Sequence, residues 1–290
     1  MASIHSMTGF AAISCDAGHG SVSLEIKSVN SRFLDIGFRL GEELRGFEMP
    51  MRERIGERIG RGKVEVRGYL QAQAGANRLR QPNALVLDEL ASIESAVRAR
   101  LPQAGLLSVA EILRWPGVLD DAQVDADVFQ ALILANVTRL LDEFVASRAR
   151  EGDKLANVLR DKVAQMRTLV AEVAPKVPTA IAAYQERLST KLREAVAALD
   201  EDRIRQEVGV FAAKVDVAEE LARLITHLDE VTRVLDKAGA VGKRLDFLMQ
   251  ELNREANTLA SKSVSGEVTA VALELKLLIE QMREQVQNLE

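Results

Sequence analysis

The chain has one cysteine, Cys15, among 290 residues. That excludes an intrachain disulfide and a cysteine-built zinc site, and it suits a reducing compartment. Aromatic residues amount to only 4%, while Ala, Leu, Val, Glu and Arg dominate, so helix is expected over most of the length. Nowhere do eighteen apolar residues follow one another, and the opening MASIHSMTGFAAIS lacks the basic-then-apolar order of a leader. The expectation is a cytoplasmic protein with no membrane partner. A positive net charge is also missing: 38 Lys and Arg stand against 43 Asp and Glu, giving −5. Any nucleic-acid surface must therefore be local, or must use carboxylates that hold a divalent cation.

What is present supports a sizeable core. Hydrophobic residues make up 47% and charged residues 28%, the balance of a globular chain long enough for more than one domain. From Ser3 to Gln73 the pattern is mixed. The run SVSLEIKSVNSRFLDIGFRL puts Val22, Leu24 and Ile26 on one side of a strand, after a turn marked by Gly18 and Gly20. Leu44, Phe47, Met51, Ile55 and Ile59 recur at helical spacing, and the strand KVEVRGYLQ follows. The expected opening is β-β-α-β, a small sheet with a packed helix.

After Pro82 the character becomes helical, through Leu85 to Leu101 and from Asp125 toward Val170, where Pro175 and Pro178 interrupt it. Beyond Arg203 three apolar rows define three helices that pack as a bundle or coiled coil. The fold class is α+β, with the N-terminal sheet followed by a long-helix region and a C-terminal helical bundle. The expected divisions are 1–80, 81–200 and 201–290.

Chemistry-bearing residues lie beside those rows. Asp216, Glu220, Arg223 and His227 share a stripe on the first C-terminal helix. Glu251, Glu255, Thr258 and Lys262 share one on the second, and Glu280, Glu284 and Asn288 on the third. Carboxylates and imidazole suit Mg²⁺ or Mn²⁺, which polarise a phosphodiester. Arg223, Arg254 and Lys262 can hold phosphate, and a histidine side chain can carry a proton. The spacing by itself equally describes the solvated flanks of a coiled coil.

Elsewhere, Asn257, Thr258 and Ser261 are mediocre helix formers that either end the second helix or serve a function. Arg61-Gly62-Lys63 reads as a turn, with phosphate contact as the alternative. Asn30 and Arg32 lie at strand ends, where turn roles compete with RNA contact. Trp115 reads as a packing anchor.

Taken in order, SMTGF, EIKSVNSRFLD, Arg61-Gly62-Lys63-Val64, Glu151-Gly152, Asp216-Val217-Ala218-Glu219-Glu220 with Arg223 and His227, LDFLMQELNREANTLASK and REQVQNLE resemble the YicC/YloC family of bacterial endoribonucleases. The resemblance spans essentially the whole chain, with Thr226 where Ser is expected. It implies a metal-dependent endoribonuclease, using Mn²⁺ or Mg²⁺, that hydrolyses RNA phosphodiesters in RNA turnover. It further implies a homohexameric ring or clamshell, with other RNA-decay nucleases as further partners.

Combining the family positions with the stripes makes His227, Glu251 and Glu255 the catalytic candidates. Glu220, Glu251, Glu255 and Glu284 become candidate metal ligands. Asn30, Arg32, Arg61, Lys63, Arg223, Arg254 and Lys262 become candidate RNA contacts. The competing reading is an oligomeric adaptor that delivers small RNAs to a separate nuclease; a third treats the stripes as purely structural.

Overall fold

In the computed structural model, residues 4–18, 20–72, 82–119, 126–195, 200–237 and 239–290 are described. The chain opens with β1 (Gly9–Asp16), β2 (Gly20–Val29) and β3 (Leu34–Leu40). A 3-10 turn, Glu42–Phe47, leads into α1 (Glu48–Arg58), and β4 (Gly62–Ala72) follows. This is one strand more than the expected β-β-α-β. The run from Val22 to Leu40 breaks at Asn30–Phe33 because its two halves flank the same neighbour: β2 pairs antiparallel with β4, and β3 pairs parallel with it. The sheet order is therefore β1-β2-β4-β3, with α1 as the crossover that a parallel pair requires.

Alternation along the strands is clean. Val22, Leu24, Ile26, Val64 and Val66 are buried against α1, while Lys27, Lys63, Tyr69 and Arg39 on the intervening positions face out. Gly62 opens β4 with a φ of +113°, a conformation suited to glycine.

Next come α2 (Ala84–Arg100) and α3 (Val109–Arg114). Asn83 caps α2, and a Ser108–Glu111 capping box opens α3. Trp115, expected to anchor packing, ends α3 with 46% of its surface exposed; a six-residue helix has too little length to bury both its faces. The expected boundary at 80/81 and the expected helix start at Asp125 lie outside the described residues.

The axis of the molecule is α4, Ala126–Val173, a helix of 48 residues and so roughly 72 Å long. Its first part (Ile133, Val137, Leu140, Phe144) completes the core under the sheet. Its last part (Leu159, Met166, Val170) enters a second core built with α7 (Ala218–Lys237), α8 (Gly242–Lys262) and α9 (Gly266–Val286). Between them, α5 (Val177–Ala195) and α6 (Glu201–Lys214) form a hairpin in which Tyr184 stacks on Phe211. Among the described residues no helix is long and apolar enough to cross a membrane.

The two cores meet at Arg148, whose residue surface is only 4% exposed. Its Nε donates to the Ser6 carbonyl at 2.6 Å, its terminal nitrogen pairs with Glu290, and its guanidinium lies over Phe144. Around it the two terminal segments pair with each other. The Met7 amide donates to the Asn288 carbonyl, and His5 and Glu290 exchange backbone hydrogen bonds. Thr8 donates to Glu151 at 2.9 Å. Glycines make the approach possible: a Cβ on Gly152 would lie 2.2 Å from the Ile4 carbonyl oxygen, and one on Gly242 would lie 2.4 Å from that of Leu289.

Gly152→Ala is accordingly expected to cost roughly 1–3 kcal/mol of unfolding free energy through backbone overlap. Gly56→Ala, in the interior of α1 with open space around its Cβ, should gain about 0.5–1 kcal/mol from helix propensity. Urea denaturation of both variants checks the contrast; equal effects would contradict the packing at Ile4.

Candidate active site on the α7–α8 seam

The buried rows of α7 (Leu221, Leu224, Leu228) and α8 (Leu252, Ala256, Leu259) bring the two helices together antiparallel. Their polar stripes thus run side by side along one edge of the contact. Lys262 Nζ lies 2.8 Å from Glu220 Oε1 and 3.2 Å from the Asp216 carbonyl. One turn along, Arg223 approaches Glu255 Oε1 at 3.5 Å and also pairs with Glu219. Further along, His227 lines a groove of about 460 Å³ with Thr226, Glu230, Arg244, Phe247 and Leu248.

Two of these acids are unusual for a helix flank, since Glu220 is 7% and Glu255 4% exposed. A solvated coiled-coil edge leaves its carboxylates in water; here burial makes the opposing cations necessary. Glu220 Oε2 is buried with no hydrogen-bond partner, so one acceptor in the seam is open. The Glu219 hydrogen bond, then the Glu219 and Glu255 charges, hold the Arg223 guanidinium above its ordinary pKa. In the groove, the hydrogen bond from Arg233, joined by Arg244, lowers Glu230 to about 2.

The seam therefore unites Glu220, Arg223, Glu255 and Lys262, with Glu251 one turn from Glu255 on the same helix and His227 in the adjoining groove. Arg254 is exposed beside them. Glu284 does not join: it is exposed near the end of α9, where its neighbour Arg283 reaches toward Asp246, at the opposite end of α8 from Lys262. Asn30 and Arg61 are engaged in the fold, Asn30 donating to the Gln287 carbonyl at 2.7 Å and Arg61 to that of Leu289 at 3.0 Å. Arg32 and Lys63 are exposed, and Arg32 stacks on Phe33.

Asp216, read from the sequence as part of the helical stripe, precedes α7; its carboxylate accepts from the Ala218 amide and so serves the helix start. Thr258 and Ser261 turn their hydroxyls back to the carbonyls of Arg254 and Thr258, and α8 runs on to Lys262. Sequence reasoning missed the Glu230–Arg233–Arg244 cluster. Its signal was the i, i+3 spacing of Glu230 and Arg233 facing Arg244 across the loop.

Among the described residues no three carboxylate, imidazole or thiol groups form a ready-made ion site. A hard cation of the Mg²⁺ type commonly takes one or two carboxylates and completes its shell with substrate phosphate and water. Glu220, with its open Oε2, and Glu255 supply that kind of donor, and the Lys262 ammonium stands where positive charge is wanted.

Lys262→Met is expected to cost roughly 1–3 kcal/mol because it strands a buried carboxylate. The double variant with Glu220→Leu should recover part of that loss; simple additivity in urea denaturation would show that the pair is not coupled. For Glu230 the folded pKa is depressed, so its stabilising pairs are fully present above about 4.5 and are lost as pH falls through about 2. Carboxyl NMR should place the midpoint there, and Arg233→Gln should move it upward.

Comparison with known proteins places these features in context. Residues 4–157 match the family model described as "Endoribonuclease YicC-like, N-terminal region", and residues 173–290 match "Endoribonuclease YicC-like, C-terminal". The chain is 40% identical over 287 residues to a Haemophilus influenzae protein named "Probable endoribonuclease YicC", covering 99% of this chain and 100% of that one. It is 27% identical over 297 residues to a Clostridioides difficile protein of the same name, covering 98% and 99%.

Proposed function

The chain belongs to the YicC-like endoribonuclease family, and on that premise we propose that it hydrolyses internal RNA phosphodiester bonds at the α7–α8 seam. The observation that carries the assignment of the site is the pair of buried carboxylates, Glu220 and Glu255, each facing a cation from the opposing helix. Structural flanks have no need of that burial.

In this reading Arg223, Arg254 and Lys262 bind the phosphate. When it arrives, its oxygens replace the carboxylates as partners of Arg223 and Lys262, which frees acids that were neutralised in the resting seam. Glu255 or Glu251 accepts the proton of the attacking water, whose oxygen forms the new bond to phosphorus. His227 returns a proton to the departing ribose oxygen. Mn²⁺ or Mg²⁺, when bound, would be held by one or two of Glu220, Glu255 and Glu251, the remaining acid serving as the base, and would stabilise charge on the phosphate. Glu284 is left outside this set by its position. We further propose a cytoplasmic homo-oligomer, a hexamer on the family resemblance, acting in RNA turnover.

Glu255→Gln and His227→Asn are expected to slow cleavage of a labelled RNA by roughly 10²–10⁴-fold, while Glu284→Gln stays near wild type. EDTA should stop the reaction. Cleavage that survives both EDTA and Glu255→Gln would refute the metal-dependent seam. Tight RNA binding without turnover by the pure protein would mark an adaptor instead.

A further inference from the structure

The outer face of the N-terminal sheet has no part in the seam or in either core. Its side chains come from the positions that alternate with the buried ones: Phe10 on β1, Lys27 on β2, Arg39 on β3, and Lys63, Arg67 and Tyr69 on β4. Phe10 is 56% exposed and Tyr69 48%, and Phe33, just before β3, is 71% exposed under the Arg32 guanidinium. The chain holds only one Trp, two Tyr and eight Phe, so three of eleven aromatics stand exposed on or beside this one surface. Packing does not account for them there.

Cations cluster beside the rings. Lys27, Arg39 and Arg67 all converge on a single carboxylate, Glu65, at 3.2, 3.2 and 2.8 Å. Glu25 lies opposite Arg67, and Asp35 lies opposite Lys63. With Asp16 at the far end of β1, four acids match the four cations on this face, and Arg32 at the edge adds one positive charge on a chain whose net charge is −5. A shallow cleft of about 540 Å³ beside Tyr69 is walled by Arg39, Arg67, Glu25 and Gly41. It sets an exposed ring next to two guanidinium groups.

We propose that this open sheet face is a binding platform for single-stranded RNA, with Phe10 and Tyr69 stacking on bases and Arg39, Arg67 and Lys63 meeting phosphates. An open four-stranded sheet with exposed rings and interleaved cations is a physical solution to holding unpaired bases, because every base offers a π-face and every linkage a charge. By the strand register Phe10 lies level with Glu65, four residues before Tyr69 on β4. The two rings are thus separated by roughly 10 Å across the strands and roughly 13 Å along them, a spacing for separate bases of one strand. The inference rests on the reading of the protein as acting on RNA, and it adds a surface that holds the substrate away from the seam that cuts it.

The test uses the full chain in EDTA, with a fluorescein-labelled single-stranded 12-mer RNA of mixed sequence and the same RNA as a duplex, followed by anisotropy. Phe10→Ala and Tyr69→Ala should each weaken single-strand binding by roughly five- to a hundredfold with the melting temperature held, since both rings are exposed. Arg39→Gln should reduce the slope of log affinity against log salt by about 0.7. The duplex, whose bases are hidden, should bind less tightly and respond little to either aromatic change.

Unchanged affinity in both aromatic variants, equal preference for duplex, or wild-type binding too weak to measure would each overturn the platform. So would a shift in oligomeric mass with RNA affinity intact, which would make the face a contact between copies. Glu255→Gln run in parallel separates the two ideas: a loss of cleavage with binding retained supports the seam whatever the sheet variants do.

Discussion

The guanidinium of Arg148 sits where the two halves of the protein have to be joined. It lies in the middle of α4, between the stretch that covers the sheet and the stretch that enters the C-terminal bundle. A charge this deeply buried is costly unless its hydrogen bonds are satisfied, and its partners come from both ends of the chain: the Ser6 carbonyl and the Glu290 carboxylate. Satisfying one arginine therefore draws the terminal segments together over the centre of the long helix. The glycines at 152 and 242 leave room for that crossing.

The seam inherits its position from this knot. Gly242, the first residue of α8, abuts the Leu289 carbonyl, which also receives the Arg61 guanidinium from the start of β4. The start of α8 is fixed against the tail, and the tail against the sheet. Along α8 the apolar row then sets the pairing with α7, and the pairing places Glu220 opposite Lys262 and Arg223 beside Glu255. Rigid helices that hold buried charges in register are a better support for phosphate chemistry than mobile loops, because the groups are ordered before the substrate arrives.

Much of this was legible in the amino acids. Period-two alternation marked β2 and β4, three- and four-residue rows marked α7, α8 and α9, and the polar stripes of α7 and α8 were read on the faces that do meet. Two things were not legible. A strand pattern does not say which neighbour it pairs with, so the break at Asn30–Phe33, which sends β3 to the far side of β4, was hidden within one alternating run. Contacts between residues distant in sequence were hidden too: Asn30 read as a strand-end group and Arg61 as part of a turn, whereas both donate to carbonyls of the C-terminal tail. Likewise the stripe of α9 was indistinguishable from the other two, and only the packing of the bundle separates Glu284 from the seam.

A cleavage centre in which the phosphate displaces resting ion pairs differs from a passive edge of a bundle in one observable way. The most direct measurement is a crystal structure of the full chain with a non-cleavable RNA and Mn²⁺. The account predicts the scissile phosphate within hydrogen-bond reach of Arg223 and Lys262, with the Glu220–Lys262 and Arg223–Glu255 pairs opened. A phosphate bound elsewhere, with both pairs still closed, would contradict it.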